Sequence, residues 1–446
     1  MVQSMEQKKQ TDPHVEAFDG FTSGLQQPSW LQPLRKAGLA SFADQGFPTL
    51  QDEDWRFTNV APIARLPFQP SADGSTSESI SAAVERAPFG AIAGHRLVFI
   101  NGHFARSLSS IGSLPAGVVV QNLSDALANG HGGLEKHLTQ YARTAGNAFA
   151  ALNQAYFADG VFIHVPAGME VPEPVHLIFV SSAKQQGTTI QPRNLILADA
   201  NSRLVVTENY VHTSTAPYLT NAVTELIAGD GAHVELIKVQ DEAADSFHVA
   251  TIHGQFGRAS RVNVHSFSLG ARLARNNIRT KLAGEGLECV LNGLYLTRGE
   301  QLADHHMIVE HAEPHCASHE YFNGILDDKS KGVFHGRILV QQLAQKTDAK
   351  QTNKNLLLSD DATADTKPQL EIYADDVKCT HGATIGQLND ESIFYLRSRG
   401  LSQDTARRML IHAFAGEIIE RIRCESVRDE LDRIVWDRLE ANPHLR

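Results

Sequence analysis

One cysteine and one histidine carry the clearest chemical signal in this sequence. Cys379 and His381 are two residues apart in the run EIYADDVKCTHGATIG, which spans 371–386. In an extended strand alternate side chains share a face, and same-face neighbours lie ~6.5–7 Å apart at the backbone. A thiolate and an imidazole at this spacing can hold one soft metal ion or a sulfur intermediate, with further ligands from elsewhere, such as another chain. The alternative is an inert buried cysteine beside a hydrogen-bonded histidine.

A group of histidines is the second candidate for metal binding. Its members are His305, His306, His311, His315 and His319, with Cys316 among them. In a single strand, His311, His315 and His319 would share a face and could gather a metal ion. Pro314 interrupts the run, and the chain has 21 histidines, so some clustering is expected by chance. The residues favour a structural or interface role over a metal site.

The sequence lacks the short motifs of common enzymes. It has no GxxxxGK[ST] phosphate loop, no GxSxG nucleophile elbow and no HExxH zinc helix. Its four cysteines, Cys289, Cys316, Cys379 and Cys424, form no CxxC pair and no disulfide framework, which favours a reducing compartment. Cys289 and Cys316 are interpreted as structural, and Cys424 carries no functional argument.

Composition and charge exclude several classes of protein. The 446 residues include 51 Asp and Glu against 40 Lys and Arg, a net charge of −11, which disfavours binding to nucleic acid or anionic membranes. No stretch approaches the ~20 apolar residues that a membrane helix needs. The first 25 residues lack an apolar segment and carry four acidic side chains, so no targeting segment is expected there. The sequence therefore predicts a cytoplasmic protein without a membrane span.

The region from about 160 to 385 has the texture of short β-strands, and part of it repeats. Four eight-residue segments begin at spacings of 30, 28 and 27 residues, at Asp199, Gly229, Gly257 and Gly284. The sixth places are Leu204, Val234, Val262 and Cys289, and the eighth places are Val206, Leu236, Val264 and Leu291. A near-constant period with one apolar strand face is typical of a solenoid, here a parallel β-helix. The alternative, an antiparallel sandwich, has turns every ~8–12 residues.

Helical regions are predicted on both sides of this β core. The proposed division is 1–95 for an N-terminal helical and loop region, 96–388 for the β-helix core and 389–446 for a C-terminal helical domain. A polar linker is expected over 70–78. In the C-terminal region Ser402 is a predicted N-cap and Gly400 a predicted helix stop.

The C-terminal helices are predicted to cap the solenoid, to dock a partner, or to do both. They combine an apolar stripe with several arginines. The residues assigned to partner docking are Phe394, Tyr395, Arg397, Arg399, Gly400, Met409 and Phe414.

Long ordered segments of the chain resemble the SufB/SufD family of iron–sulfur cluster assembly scaffolds. The matching segments are GFPTLQDEDWRFTNV (46–60), NAFAALNQAYFADGVFIHVP (147–166), DHHMIVEHAEPHCASHEYFNGIL (304–326), GVFHGRILV (332–340), the run at 353–388 and FYLRSRGLSQDTARRMLIHAF (394–414). The resemblance implies a right-handed parallel β-helix, in agreement with the period above. The modest length, the lack of an N-terminal cysteine-rich segment and the run DVKCTHGAT are similar to the SufD branch.

The resemblance also implies a function and partners. It implies a non-catalytic scaffold that pairs with a SufB-like chain and docks a SufC-like ABC ATPase through its C-terminal helices. It implies that Cys379 and His381 lie near the shared interface, with His381 favoured as the contributor to a transient iron–sulfur cluster or iron ion. No cofactor is expected to bind this chain tightly, although flavin is possible in the complex and a homodimer is possible for the isolated chain.

Two other functions stay open from the residues. A SufB-like scaffold would itself accept sulfur on a core cysteine. A β-helix carbohydrate-active enzyme would need paired carboxylates, and Asp360, Asp361 and Asp365 are the nearest group. Only 7% of the chain is aromatic and no sugar-stacking aromatics accompany these carboxylates, which disfavours the enzyme.

Overall fold

A computed structural model of the chain describes residues 13–71 and 74–441. Ala72 and Asp73 of the predicted linker lie outside the described residues, as do residues 1–12 and 442–446 of the two predicted flanking regions. No helix in the described ranges is long and apolar enough to cross a membrane.

Helices are concentrated before and after the β region. They are α1 Pro13–Ser23, α2 Leu31–Gln45, α3 Ala61–Ala64, α4 Glu78–Arg86, α5 Leu123–Ala128, α6 Leu134–His137, α7 Ala148–Tyr156, α8 Asp390–Ser398, α9 Gln403–Ile419 and α10 Glu425–Ala441. Short 3₁₀ turns occupy Glu53–Trp55 and Arg106–Leu108.

The strands run through most of the chain. They are β1 Gln69–Pro70, β2 His95–Ile100, β3 His103–Phe104, β4 Val119–Asn122, β5 Val161–Val165, β6 Val175–Ser181, β7 Thr188–Ile190, β8 Arg193–Ala198, β9 Arg203–His212, β10 Tyr218–Ala228, β11 His233–Gln240, β12 Phe247–Phe256, β13 Arg261–Ser268, β14 Leu273–Leu282, β15 Glu288–Thr297, β16 Leu302–His311, β17 Ala317–Leu326, β18 Lys331–Val340, β19 Asp348–Leu357, β20 Thr363–Ile372 and β21 Lys378–Gly386.

The strands build two facing sheets. From β8 onward even-numbered strands pair in the first sheet and odd-numbered strands in the second, so the chain alternates between sheets as it advances. All pairs in this part are parallel. The result is a parallel β-solenoid of about eight coils, which confirms the predicted β-helix and its flanking helical regions.

The predicted repeat corresponds to the coil. Sixth-place residues pair in register from coil to coil, Leu204 with Val234, Val234 with Val262, and Val262 with Cys289. The eighth places pair in the same way, and both sets lie buried in one apolar core between the sheets. Each inward side chain therefore stacks on its counterpart in the next coil, which is why the period stays nearly constant.

The C-terminal helices begin and end as the sequence predicts. The Ser402 side chain accepts a hydrogen bond from the Thr405 N–H, so it caps α9. Gly400 follows α8 with a φ of +95°, a conformation that glycine adopts without steric cost. Buried Val427, Leu431, Val435 and Leu439 line one face of α10, as the periodicity requires.

The helices α9 and α10 pack on the outer face of the second sheet rather than over the last coil. Their apolar side chains share a cluster with residues of β11, β13 and β15. The Asn323 side chain donates to the Phe414 carbonyl at 2.9 Å, and Glu235 accepts from the N–H groups of Arg423 and Cys424. The last coil is therefore left uncovered by these helices.

Candidate functional site

Cys379 and His381 lie on β21, the last strand of the second sheet. β21 pairs with β19 along one edge, with Cys379 opposite Ala349 and His381 opposite Gln351. Within the described ranges no strand pairs with the outer edge of β21, nor with that of β20 in the facing sheet. We call these two outer edges the open end of the solenoid.

The coil register explains why these two side chains share a face. Through successive pairings Cys379 continues the sixth-place column and His381 continues the eighth-place column. Their two-residue spacing keeps both on the inward face, as the strand periodicity predicts. Because no further coil within the described ranges covers them, residues that would be core in an earlier coil are reachable from outside.

The two residues differ in environment. His381 is exposed, whereas Cys379 is half-buried and packs against a small apolar cluster that includes Ile338 and Ala349. Burial raises the pKa of the Cys379 thiol, and the nearby Asp348 carboxylate adds to that rise. In the free chain Cys379 is therefore a neutral thiol, and His381 is the more available ligand of the two.

The eighth-place column becomes polar toward the open end. It reads Leu291, Glu320, Gln351 and His381 over the last four coils. Glu320 is fully buried and accepts a hydrogen bond from the Gln351 side chain at 2.8 Å. Burial raises the pKa of Glu320 to about 8, so this carboxyl group is largely protonated at neutral pH. A polar path thus leads from the core to the site.

The residues assigned to partner docking divide into two groups. Phe394 and Tyr395 on α8 are 73% and 56% exposed, and Met409 on α9 is exposed as well. Arg397, Arg399 and Gly400 are also exposed. Phe414 instead lies partly buried against the cluster that joins the helices to the coils. The exposed members therefore offer an apolar and basic surface, while Phe414 anchors α9.

His311, His315 and His319 do not lie on one strand, so the face that a single strand would let them share does not form. His311 ends β16, His319 lies on β17, and His315 lies in the turn between them with a φ of +59°. The turn breaks the even spacing that a shared face requires. His311 is buried and hydrogen-bonds to the Ser318 hydroxyl at 2.8 Å, a structural role.

The carboxylate group considered for an enzyme has an ordinary explanation. Asp365 forms an ion pair with Lys331 at 2.6 Å across neighbouring strands. Asp360 and Asp361 lie in the turn before β20.

Comparisons with known proteins agree with this architecture. Residues 179–414 match the family model described as SUF system FeS cluster assembly, SufBD core domain, and residues 14–177 match SufBD protein N-terminal region. An iron–sulfur cluster assembly SufBD family protein of Synechocystis sp. is 37% identical over 397 residues, 87% of this chain and 86% of the relative. This chain belongs to the SufBD family.

Two further relatives are similar over most of the chain. The iron–sulfur cluster assembly protein SufD of Escherichia coli is 31% identical over 435 residues, 96% of this chain and 95% of the relative. Protein ABCI7, chloroplastic, of Arabidopsis thaliana is 28% identical over 412 residues, 90% of this chain and 84% of the relative. The chain is thus a member of a family of non-catalytic scaffold components in iron–sulfur cluster assembly.

Sequence reasoning missed one polar feature of this SufBD family chain. Inside the middle coils Lys238 donates to Asn276 at 2.9 Å, and Asn276 lies 3.4 Å from His305. The Tyr295 hydroxyl, whose ring stacks on His305, donates to Asn355 at 2.6 Å. The repeat pattern could have indicated this polar group. Lys238 lies two places beyond the eighth place of its repeat and Tyr295 lies four places beyond, so both side chains continue the inward alternation.

Proposed function

We propose that this chain is the SufD-type, non-catalytic scaffold subunit of an iron–sulfur cluster assembly complex. It pairs with a SufB-type scaffold at the open end and docks a SufC-type ABC ATPase on the exposed surface of α8 and α9. ATP-driven movement of the ATPase then pulls on both scaffolds and opens their shared interface. Similarity to the Escherichia coli SufD over nearly the whole chain supports the SufD assignment.

One observation carries the proposal. Cys379 and His381 end two inward columns at a place where two strand edges also lack partners within the described residues. An unpaired strand edge favours pairing with another chain, and a two-ligand site needs a second source of ligands. One incoming scaffold would meet both needs. The cluster or iron ion is then cargo, held transiently at the interface.

The protonation of the thiols favours this role over that of a sulfur-accepting scaffold. Burial raises the pKa of Cys289 to about 12, and burial also raises the pKa of Cys316. Because the thiolate is the nucleophile, these core thiols are poor sulfur acceptors. The SufD-type role therefore fits the chain better.

Three further parts of the proposal rest on the sequence and the resemblance. Flavin binding belongs to the assembled complex, and the isolated chain forms a homodimer when its partner is missing. The cytoplasm is the proposed compartment, because the four cysteines form no CxxC pair and no disulfide framework. Mass measurement of the intact assembly after co-expression tests the partners and the homodimer together.

The first test replaces His381 with alanine in the co-expressed complex. His381→Ala should leave folding and assembly intact, because the side chain is exposed, and should lower cluster yield after reconstitution by about tenfold or more. Cluster content is measured from iron, sulfide and the visible absorption spectrum. His315→Ala, which changes an exposed histidine in a turn, is the control. An unchanged yield in His381→Ala removes this residue from the mechanism.

A further inference from the structure

A second group of metal-ligand side chains lies on the outer face of the first sheet. His306 on β16 and His335 on β18 are opposite each other in register, and Asp54 comes from the 3₁₀ turn of the N-terminal region. Among the described residues, these three side chains form the one group of at least three His, Cys, Asp or Glu residues whose ligand atoms are close enough to hold a metal ion. We call it the Asp54–His306–His335 triad.

The geometry of the triad is close to that of a metal site. One ligand atom from each residue lies within 4.8 Å of the other two. The two imidazole rings are T-shaped with centroids 4.3 Å apart, and His306 Nε2 is 3.7 Å from Asp54 Oδ1. First-row metals bind nitrogen and oxygen at ~2.0–2.2 Å, so bound donors are at most ~4.4 Å apart. Asp54 is 54% exposed and can supply the remaining movement.

Both imidazoles are buried and available. Among the described residues Nε2 of His335 is buried without a hydrogen-bond partner, a cost to stability that a bound ion would remove. Burial lowers the pKa of His306 well below its usual value, and burial also lowers the pKa of His335. Both rings are therefore neutral, which is the form that binds metals.

Several basic side chains near the triad form ion pairs with carboxylates other than Asp54, so the Asp54 carboxylate remains available to a metal ion. Three of the cations near the histidines are each paired with a carboxylate: Arg275 with Asp304 at 2.5 Å, Lys367 with Glu53 at 2.7 Å and Arg337 with Glu371 at 3.5 Å. Each pair offsets part of the positive charge near the histidines, and Arg143 and Arg279 add further positive charge along the neighbouring cavity. The carboxylate of Asp54 then adds the negative charge that a divalent cation requires.

A cavity lies beside two members of the triad, Asp54 and His306. Its volume is about 90 Å³, and its lining includes Asp54, His306, Trp55 and Arg143. Water molecules in this space can fill the coordination positions that three protein ligands leave open.

We propose that Asp54, His306 and His335 bind a divalent first-row transition-metal ion. Two histidines and one carboxylate with open positions form a donor set that suits ferrous iron or zinc, whereas magnesium prefers all-oxygen sites. The triad lies on the outer face of the first sheet, whereas Cys379 and His381 lie on the second, so this site is separate from the cluster site proposed above.

The test measures metal binding by the full chain in the absence of partners. Anaerobic equilibrium dialysis against ferrous ammonium sulfate, zinc sulfate or magnesium sulfate gives stoichiometry and affinity. The background is Cys379→Ala with His381→Ala, so that binding at the open end does not contribute. Cobalt(II) serves as a spectroscopic probe, since a site of nitrogen and oxygen ligands gives d–d bands without a thiolate charge-transfer band.

Three variants address the triad, and one serves as a control. Asp54→Asn changes an exposed side chain, so the fold should persist, and it should weaken ferrous or zinc binding by about tenfold or more. His306→Ala and His335→Ala should abolish that binding, with circular dichroism as the check on folding. His315→Ala is the control, because His315 lies near Glu285 at 4.0 Å but belongs to no group of three ligands among the described residues.

The outcomes separate clearly. The site is supported if the chain binds one equivalent of iron or zinc, if Asp54→Asn weakens that binding and if His315→Ala leaves it unchanged. The ion that binds more tightly identifies the metal. The proposal is overturned if the background chain binds neither ion, or if folded Asp54→Asn binds as tightly as its parent. Neither result bears on His381, because that residue is absent from every protein compared.

Discussion

At the scale of single residues, the eighth-place column shows how position in the solenoid decides chemistry. The same inward place holds Leu291 in the core, the buried carboxyl of Glu320 one coil later, and His381 at the open end. Glu320 keeps a proton because burial disfavours the charged form more than the single hydrogen bond from Gln351 favours it. Because the folded chain disfavours the ionised form of Glu320, this residue lowers the free energy of unfolding when the pH is high enough for the carboxyl group to ionise in the unfolded chain.

Glu320 leads to a prediction about pH and stability. Its pKa rises from an ordinary value of 4.5 to about 8 in the folded chain, so its stabilising contribution is complete below pH 4.5 and is lost as the pH rises through about 8. Glu320→Gln removes this dependence, because an amide does not ionise. Relative to the parent, the variant should gain stability with rising pH, by at most about 1.4 kcal/mol per pH unit.

The measurement is the midpoint of urea unfolding at a series of pH values between about 5 and about 8. Glu288→Gln is the matched control, since Glu288 begins a strand of the same sheet but is half-exposed and paired with Arg261. A parallel pH profile for Glu320→Gln and the parent would show that Glu320 ionises normally in the folded chain.

At the scale of elements, the C-terminal helices have two faces with different tasks. Residues such as Ile411 and Ile418 are buried against the second sheet, and Arg421 stacks on Tyr321 with its guanidinium 3.6 Å from the ring centroid. Phe394 and Tyr395 on α8 are instead exposed. An apolar pair at this exposure contributes little to folding, which favours a role in binding.

The exposed pair therefore provides a test of ATPase docking. Phe394→Ser combined with Tyr395→Ser should leave the melting temperature of the isolated chain unchanged and weaken binding of a purified SufC-type ATPase by about tenfold or more. Leu343→Ser is the matched control, because Leu343 is 76% exposed in a turn outside the helices. Isothermal titration calorimetry measures the affinity, and undiminished affinity in the double variant would move the docking surface elsewhere.

At the scale of the whole molecule, the two ends of the solenoid are not equivalent. At the first end the antiparallel strands β3 and β4 finish the two sheets. At the other end β20 and β21 keep a parallel edge of nine or ten residues each. Among the described residues these two edges have no paired strand, and long unpaired edges favour association, so under the proposed function this is the end at which the sheets extend into another chain.

Proline substitutions in β21 test pairing at this end. The Lys378 N–H donates to Thr347 on the inner side, so by alternation the Ala383 N–H faces the outer edge and the Thr384 N–H faces β19. Ala383→Pro should spare the chain and weaken pairing with a SufB-type chain by roughly tenfold, because one inter-chain hydrogen bond is lost. Thr384→Pro should instead lower the melting temperature of the chain itself.

Light scattering after size-exclusion chromatography measures the pairing, and differential scanning calorimetry measures the stability of each variant. If Ala383→Pro pairs as well as the parent, the outer edge of β21 does not contribute to the interface.

The sequence alone determined the features that depend on short-range periodicity. The repeat near 28 residues predicted the coil, because each coil must return its inward side chains above the previous ones. The even spacing of Cys379 and His381 predicted a shared face, since strand side chains alternate. Capping by Ser402 and the stop at Gly400 are equally local, and the structure confirms both.

Only the tertiary structure decided the features that join distant segments. The N-terminal turn brings Asp54 to His306 and His335, which are 252 and 281 residues later, and no local pattern encodes that contact. The helices return to the side of the second sheet, which leaves the last coil open and makes His381 exposed rather than core. The alternation of side chains along a strand is set by neighbouring residues. Whether a strand is buried depends instead on which distant segments pack against it in the folded chain.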